Sequence, residues 1–155
     1  MDSKTRKVVW HAYDDIRDKE DLKDRDDWRN HLFVTIDDPI SSVQMKFSIS
    51  NNITLWRAQT LYTKEVTTIE WIRNFKKQSI FFDIGSNVGM YTIFAAMIPQ
   101  VKVYSFEPES NNFQVLMENI LFNELFNKIS SYQIALGNKT YFTKLFIDTF
   151  TKGSS

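Results

Sequence analysis

The chain has 155 residues with 19 basic and 19 acidic side chains, so its formal net charge is zero. This length is typical of one domain that can bury its own core. The balanced charge argues against a nucleic-acid partner, because basic surfaces bind phosphate backbones. Cysteine is absent, which excludes disulfide bonds, thiolate nucleophiles and Cys-ligated zinc.

The sequence shows no segment typical of export or membrane insertion. Residues 1–10 are polar and basic, without the apolar core of a secretory signal. The longest apolar stretch, 93–98, is far shorter than the roughly 20 residues that cross a bilayer. We therefore predict a cytoplasmic protein without a membrane partner. Residues 1–31 mix charges of both signs and are interpreted as a charged leader. His11 and His31 are isolated, so no metal site is predicted.

A β-hairpin is predicted near the start of the folded part. Residues 32–36 are a short β-rich run, and apolar and polar residues alternate over 43–49, as in a half-buried strand. The pair Asn51-Asn52 tolerates a tight turn. Residues 53–57 are therefore expected to return as the second strand of the hairpin.

A helix is predicted after the hairpin, and the two together form an N-terminal extension over 32–77. Apolar residues three apart line one helical face over 66–75. The helix begins either near Lys64 or at a capping box formed by Thr67 and Glu70. Two tryptophans of the extension are expected in the core: Trp56 and Trp71.

Residues 78–155 have a different pattern. Residues 80–84 are a nearly continuous apolar run, which suits a central strand covered on both faces. The elements predicted after it are a helix over 87–97, a strand over 101–106, a helix capped by Ser110, a strand over 129–136 and an antiparallel strand over 141–150. Alternation of strands and helices predicts a parallel sheet with right-handed crossovers. The fold class is therefore α/β.

The turn after the first parallel strand is the strongest candidate for a ligand site. Gly85 and Gly89 lack a Cβ atom and allow close approach of backbone to a ligand. Asn87 is one of the few other residues that adopt left-handed conformations readily. Asp83 ends the strand and faces the crevice where open α/β sheets bind ligands.

An acidic residue follows at the end of the next strand. Glu107 lies 24 residues after Asp83, and a carboxylate there can accept hydrogen bonds from the ribose hydroxyls of a nucleoside. Pro108 and the backbone near Ala135 and Leu136 would flank the base. The spacing Asp-x-Gly-x-Asn-x-Gly differs from the Gly-x-Gly-x-x-Gly of dinucleotide sites.

These motifs resemble the FkbM-type family of class I S-adenosylmethionine (SAM)-dependent methyltransferases, which have a Rossmann-like fold. The resemblance covers about residues 47–155. It is carried by Phe82-Asp83-Ile84-Gly85-Ser86-Asn87-Val88-Gly89-Met90-Tyr91-Thr92, Phe106-Glu107-Pro108, Asn112-Phe113, Leu116, Asn119, Asn123 and Ala135-Leu136-Gly137.

The resemblance implies SAM as cofactor and methylation of a hydroxyl group, often on a sugar or a natural product, so that a small-molecule or glycan acceptor is the expected partner. It also implies that Asp83, Gly85, Asn87 and Gly89 hold the methionine end of SAM and that Glu107 holds the ribose. The remaining candidates for cofactor contact are Ser86, Pro108, Asn112 and Ala135.

The sequence departs from the family in two places. Ser86 stands where the family often has Ala. The family also continues to a fourth parallel strand that ends in an Asp-x-Glu-Gly motif, which this sequence lacks. The chain is therefore expected to be truncated after the third parallel strand. Residues 80–84 would then form an unpaired apolar edge that invites self-association or a partner chain.

Two other functions are weighed: a non-catalytic remnant or SAM-binding module, and an NAD-dependent oxidoreductase. No general base is assigned. Glu65 either faces the acceptor pocket or favours a helix start, and Tyr91 is expected to pack in its helix. Asn112 contacts the cofactor or packs. Packing or capping is expected of three further asparagines: Asn111, Asn119 and Asn123.

Overall fold

The computed structural model describes residues 8–11, 32–147 and 151–154. Most of the charged leader predicted over 1–31, including His31, lies outside these described residues. The described part forms two three-stranded sheets with four α-helices. In these residues no helix has the length and apolarity that crossing a membrane requires.

The first sheet is antiparallel and has the order β1-β2-β3. Its strands are β1 (Val8–His11), β2 (Leu32–Asp37) and β3 (Gln44–Ile49). The turn between β2 and β3 is closed by a hydrogen bond from Asp38 N to Val43 O (2.8 Å). The hairpin therefore joins β2 to β3.

The prediction that 53–57 forms a strand is wrong, because these residues belong to α1 (Asn52–Gln59). The Asn51 side chain accepts hydrogen bonds from Ile53 N (2.8 Å) and Thr54 N (2.9 Å). The Thr54 hydroxyl in turn accepts from Asn51 N (3.1 Å). This reciprocal capping starts a helix where the sequence suggested a tight turn.

Helix α2 (Val66–Arg73) buries Ile69 and Ile72, as its periodicity predicts. Its N-cap is Glu65, so the capping box of Thr67 and Glu70 is not formed.

An ion pair joins the end of α2 to the β2–β3 turn. The Arg73 guanidinium donates to both carboxylate oxygens of Asp38, one of them at 2.9 Å. Burial alone would raise the pKa of Asp38, but hydrogen bonds from Arg73 and Ser41, together with the Arg73 charge, lower this pKa to about 2.

The second sheet is parallel with the order β4-β5-β6, which confirms the predicted α/β class. Its elements in chain order are β4 (Ile80–Ile84), α3 (Met90–Met97), β5 (Lys102–Phe106), α4 (Ser110–Phe122) and β6 (Ile129–Tyr132). Helix α3 begins at Met90, later than predicted, because Gly89 has a left-handed conformation. Helix α4 is capped by Glu109 instead of Ser110: the Glu109 carboxylate accepts from Asn111 N and Asn112 N.

Strand β4 lies at the edge of this sheet, and the prediction that it is covered on both faces is wrong. Ile80, Phe82 and Ile84 remain 59%, 57% and 64% exposed. Phe82 stacks on Tyr104 of β5 with ring centroids 5.4 Å apart. Only the opposite face, which includes Phe81, is packed against the core.

The prediction of an antiparallel strand over 141–150 is also wrong for residues 141–147, the part that the structure describes. Residues 133–147 have no regular secondary structure, and 148–150 lie outside the described residues. Phe142 and Phe146 are 107% and 88% exposed. Within the described residues no strand pairs with this segment.

The two sheets share one core through α4. Leu116 and Ile120 of α4 are buried in the same cluster as Met45 and Phe47 of β3. The Asn119 side chain accepts from Ser48 N (2.6 Å) and donates to Val88 O (2.7 Å). This amide links β3 to the turn that precedes α3, so the hairpin supports the candidate site.

Candidate functional site

Three residues of the turn between β4 and α3 have left-handed backbone: Gly85 (φ 75°), Asn87 (φ 51°) and Gly89 (φ 82°). The sequence suggested this conformation for Asn87, and for the two glycines it suggested close approach to a ligand. The N–H groups of Gly85 and Ser86 both donate to Phe106 O, at 2.9 and 3.0 Å. The turn is thereby attached to the end of β5.

The two glycines of the turn have different surroundings. A Cβ atom added to Gly85 would meet nothing within 4 Å, so this position is open to a ligand. A Cβ added to Gly89 would lie 2.3 Å from Cδ1 of Leu116 in α4. Gly89 therefore allows close packing of α4 against the start of α3, while Gly85 leaves room at the crevice.

Glu107 is brought to the turn from the end of β5. It is 5% exposed. Its Oε2 accepts from Asn87 N (2.8 Å) and its Oε1 accepts from Glu109 N (2.9 Å). Each carboxylate oxygen has a second lone pair, so Glu107 can hold the loop and still accept hydrogen bonds from a ligand.

Asp83 adds a second carboxylate to the same crevice. Its Oδ2 accepts a hydrogen bond from the Thr92 hydroxyl. Burial raises the pKa of Asp83, hydrogen bonds from Thr92 oppose this, and the charge of Glu107 raises it further. Two acidic groups disfavour a pyrophosphate here and favour hydroxyl donors or a cationic group.

Ser86 has a buried hydroxyl that no described residue satisfies. The residue is 7% exposed, and its Oγ has no hydrogen-bond partner among the described residues. Buried polar atoms are normally paired. An orphan hydroxyl in this turn therefore fits a ligand that supplies its partner.

Asn87 and Asn112 point their amides at a segment that the sequence did not connect with the site. We call residues 151–154 the strap. Nδ2 of Asn87 and of Asn112 both donate to Ser154 O, at 2.8 and 3.0 Å, and Asn112 Oδ1 accepts from Gly153 N (2.7 Å). Side-chain amides bound to backbone carry no pattern of their own, so no sequence signal revealed this contact.

The residues predicted to flank the base are more exposed than Glu107. Pro108 follows Glu107 and is half-buried, while Ala135 and Leu136 are exposed in the irregular segment. Glu107 N donates to Tyr132 O (3.1 Å), so the end of β6 lies beside Glu107. Ala135 is three residues beyond that point.

The remaining asparagines pack or cap, as predicted. Asn119 joins β3 to Val88, Asn123 donates to Lys46 O (2.7 Å), and Asn111 donates to a Glu109 oxygen (3.0 Å). The prediction for the tryptophans is wrong. Trp56 and Trp71 are 46% and 57% exposed.

A large cavity and a small one lie at opposite ends of α3. A cavity of about 390 Å³ is lined by Asp38, Arg73 and the residues that end α3, and it contains no residue of the Asp83–Gly89 turn. A cavity of about 30 Å³ lies at the start of α3, beside that turn. Its lining comprises Arg57, Thr60, Leu61, Lys64, Glu65, Met90 and Tyr91. The smaller cavity is therefore the one next to the candidate ligand site.

Tyr91, Glu65 and Arg57 interact at this small cavity. Burial and the neighbouring Glu65 raise the pKa of Tyr91 to about 12. Burial lowers the pKa of Arg57 from its ordinary value. Within the described residues, no cluster of three or more side chains is suited to hold a metal ion.

Comparison with known proteins gives distant structural matches only. No family model matches the chain, and no curated protein matches it. Among solved structures, a transferase from Pyrococcus horikoshii matches with TM-score 0.47 at 15% identity, covering 66% of this chain and 36% of that chain. TYW2 from the same organism, in complex with MeSAdo, matches with TM-score 0.48 at 17% identity and the same two coverages.

Fibrillarin from Aeropyrum pernix, with natively bound S-adenosyl-L-methionine, matches with TM-score 0.36 at 10% identity, covering 71% of this chain and 54% of that chain. The chain thus spans about a third of the length of the first two structures. At these scores and identities the matches assign neither an activity nor a ligand to this chain.

Proposed function

We propose that this chain is the cofactor-binding part of a class I SAM-dependent methyltransferase. The observation that carries the proposal is the bond between Glu107 Oε2 and Asn87 N (2.8 Å). It joins a buried carboxylate at the end of β5 to the glycine-containing turn that follows the neighbouring strand β4. Ligands of open α/β sheets bind at this crevice.

The residues of the crevice fit SAM by their chemistry. Glu107 offers lone pairs to two ribose hydroxyls. Asp83, Gly85 and the orphan hydroxyl of Ser86 would hold the methionine end, with Pro108 and Ala135 beside the base. Bound SAM supplies a methyl group on a sulfonium, and the two carboxylates favour its cationic groups over the pyrophosphate of NAD.

We further propose, from the FkbM resemblance, that the methyl group goes to a hydroxyl of a small molecule or glycan. Transfer from a sulfonium depends mainly on holding donor and acceptor in line. The small cavity at the start of α3 adjoins Tyr91, which follows the turn closely in sequence. The cavity has room for about one water, so it suits only the reacting hydroxyl of an acceptor that approaches from the methionine side.

Calorimetric titration of the chain tests the cofactor. We expect SAM and S-adenosylhomocysteine to bind and NAD⁺ not to bind. Binding of NAD⁺ alone would indicate an oxidoreductase, and binding of none of the three would contradict a cofactor site. SAM binding without methyl transfer to any hydroxyl acceptor would indicate a SAM-binding module.

We also propose that a second copy of this chain covers the free edge of β4. The edge leaves backbone hydrogen-bonding groups unpaired, and Ile80, Phe82 and Ile84 form an exposed apolar row beside it. The zero net charge gives two copies no overall electrostatic repulsion. An edge strand can pair with its own copy about a two-fold axis.

Light scattering after size exclusion measures this self-association. We expect the wild type to exceed the monomer mass and Phe82→Lys to shift it toward the monomer. Leu121→Lys is the matched control, because Leu121 is equally exposed (57%) but lies on α4. A wild type that stays monomeric at high concentration would contradict the proposal.

A further inference from the structure

The strap is held by four side chains from three parts of the candidate site. Asn51, at the start of α1, donates to Lys152 O (2.9 Å), and Arg57 of α1 donates through Nε to Gly153 O. Asn87 and Asn112 bind the strap as described above. All these contacts are made to main-chain atoms of the strap. They therefore depend on its backbone conformation more than on its side chains.

The centre of the strap, Gly153, lies where its backbone conformation and its close neighbours both favour glycine. Gly153 is buried and has φ 83°, a conformation that other residues rarely adopt. A Cβ atom there would lie 3.1 Å from Ile53 Cγ2 and 3.2 Å from Thr54 Cγ2. A larger residue would be strained by the positive φ and would crowd α1, so we expect a bulky one to displace the strap.

We infer that the strap is a positioning segment that fixes the side chain of Asn87 and, through it, the shape of the candidate cofactor turn. Asn87 has a left-handed backbone conformation, and its side chain and backbone N–H are all held by hydrogen bonds. Its Nδ2 binds the strap, its Oδ1 accepts from Val88 N (2.8 Å), and its backbone N–H reaches Glu107. The strap is thereby connected to the proposed ribose-binding carboxylate.

Asn112 connects the strap to the first turn of α4. Asn112 is 4% exposed. Its Nδ2 donates to Ser154 O, and its Oδ1 accepts from Gly153 N. Departure of the strap would break both of these hydrogen bonds, so Asn112 stabilises the bound strap. The effect on ligand binding rests on the proposed function, whereas the effect on the turn does not.

Two variants remove the strap in different ways. Gly153→Val introduces a larger side chain at the centre of the strap, and a chain that ends after residue 150 removes the strap without adding bulk. Thermal unfolding without ligand reports whether each variant is folded. Gly137→Val is the matched control, because a Cβ on Gly137 would meet only Lys139 O, at 3.8 Å.

The first measurement is hydrogen exchange at the Asn87 and Val88 amides without ligand. We expect exchange to be about tenfold faster in both strap variants and unchanged in Gly137→Val. The second is calorimetry with S-adenosylhomocysteine, where we expect about tenfold weaker binding in the strap variants only.

Unchanged exchange in the strap variants would overturn the inference whatever the affinity. Tighter binding after strap removal would also overturn it, since the strap would then block the site. If the wild type binds no S-adenosylhomocysteine, the proposed function fails, and the exchange rates alone decide the role of the strap.

Discussion

Replacing Glu107 by alanine is expected to weaken S-adenosylhomocysteine binding about 100-fold or more. Glu107 is 5% exposed and its two oxygens hold Asn87 N and Glu109 N. A ligand with two ribose hydroxyls would add charge-assisted hydrogen bonds, and losing two such bonds costs about 3 kcal/mol or more. The substitution also releases the turn from β5, which adds to the loss. Calorimetric titration measures the change.

Two controls separate the ribose role from general damage. Glu70→Ala removes the same charge from an exposed position of α2 and should leave affinity unchanged. Glu107→Gln keeps the size of the side chain but replaces one acceptor with a donor, so we expect an intermediate loss. Thermal unfolding without ligand reports whether each variant is folded. Unchanged affinity of a folded Glu107→Ala variant would remove Glu107 from the site.

The turn and its partner carboxylate were predictable from sequence because backbone geometry dictates their residue types. Left-handed conformations at residues 85, 87 and 89 select glycine and asparagine. An acid at the end of the next strand must lie at the same edge of a parallel sheet. The residue types of the turn and the order of the strands therefore both indicate a site at Asp83 and Glu107.

The features that sequence missed depend on contacts between distant residues. Asn51-Asn52 fits a hairpin turn as well as a helix cap, and only the Thr54 hydroxyl decides for the cap. The apolar run of β4 suggests full burial, but exposure depends on what covers its outer face. The strap joins residues 51, 87 and 112 through backbone carbonyls, which no periodicity reports.

The close approach of Gly89 to Leu116 predicts a large cost for adding a single methyl group there. Gly89→Ala should destabilise the fold by about 3 kcal/mol, because the left-handed backbone adds strain to an overpacked contact. Leu116 is fully buried, so moving its Cδ1 away from a new methyl group would disturb the close packing around it. Gly85→Ala is the matched control: its φ is also positive, but its Cβ meets nothing within 4 Å, so only about 1 kcal/mol is expected.

Urea unfolding measures the stability of both variants. In a double-mutant cycle, Leu116→Ala should relieve part of the destabilisation caused by Gly89→Ala. Equal destabilisation by the two alanine substitutions would show that backbone strain alone, and not the contact with α4, requires glycine at position 89.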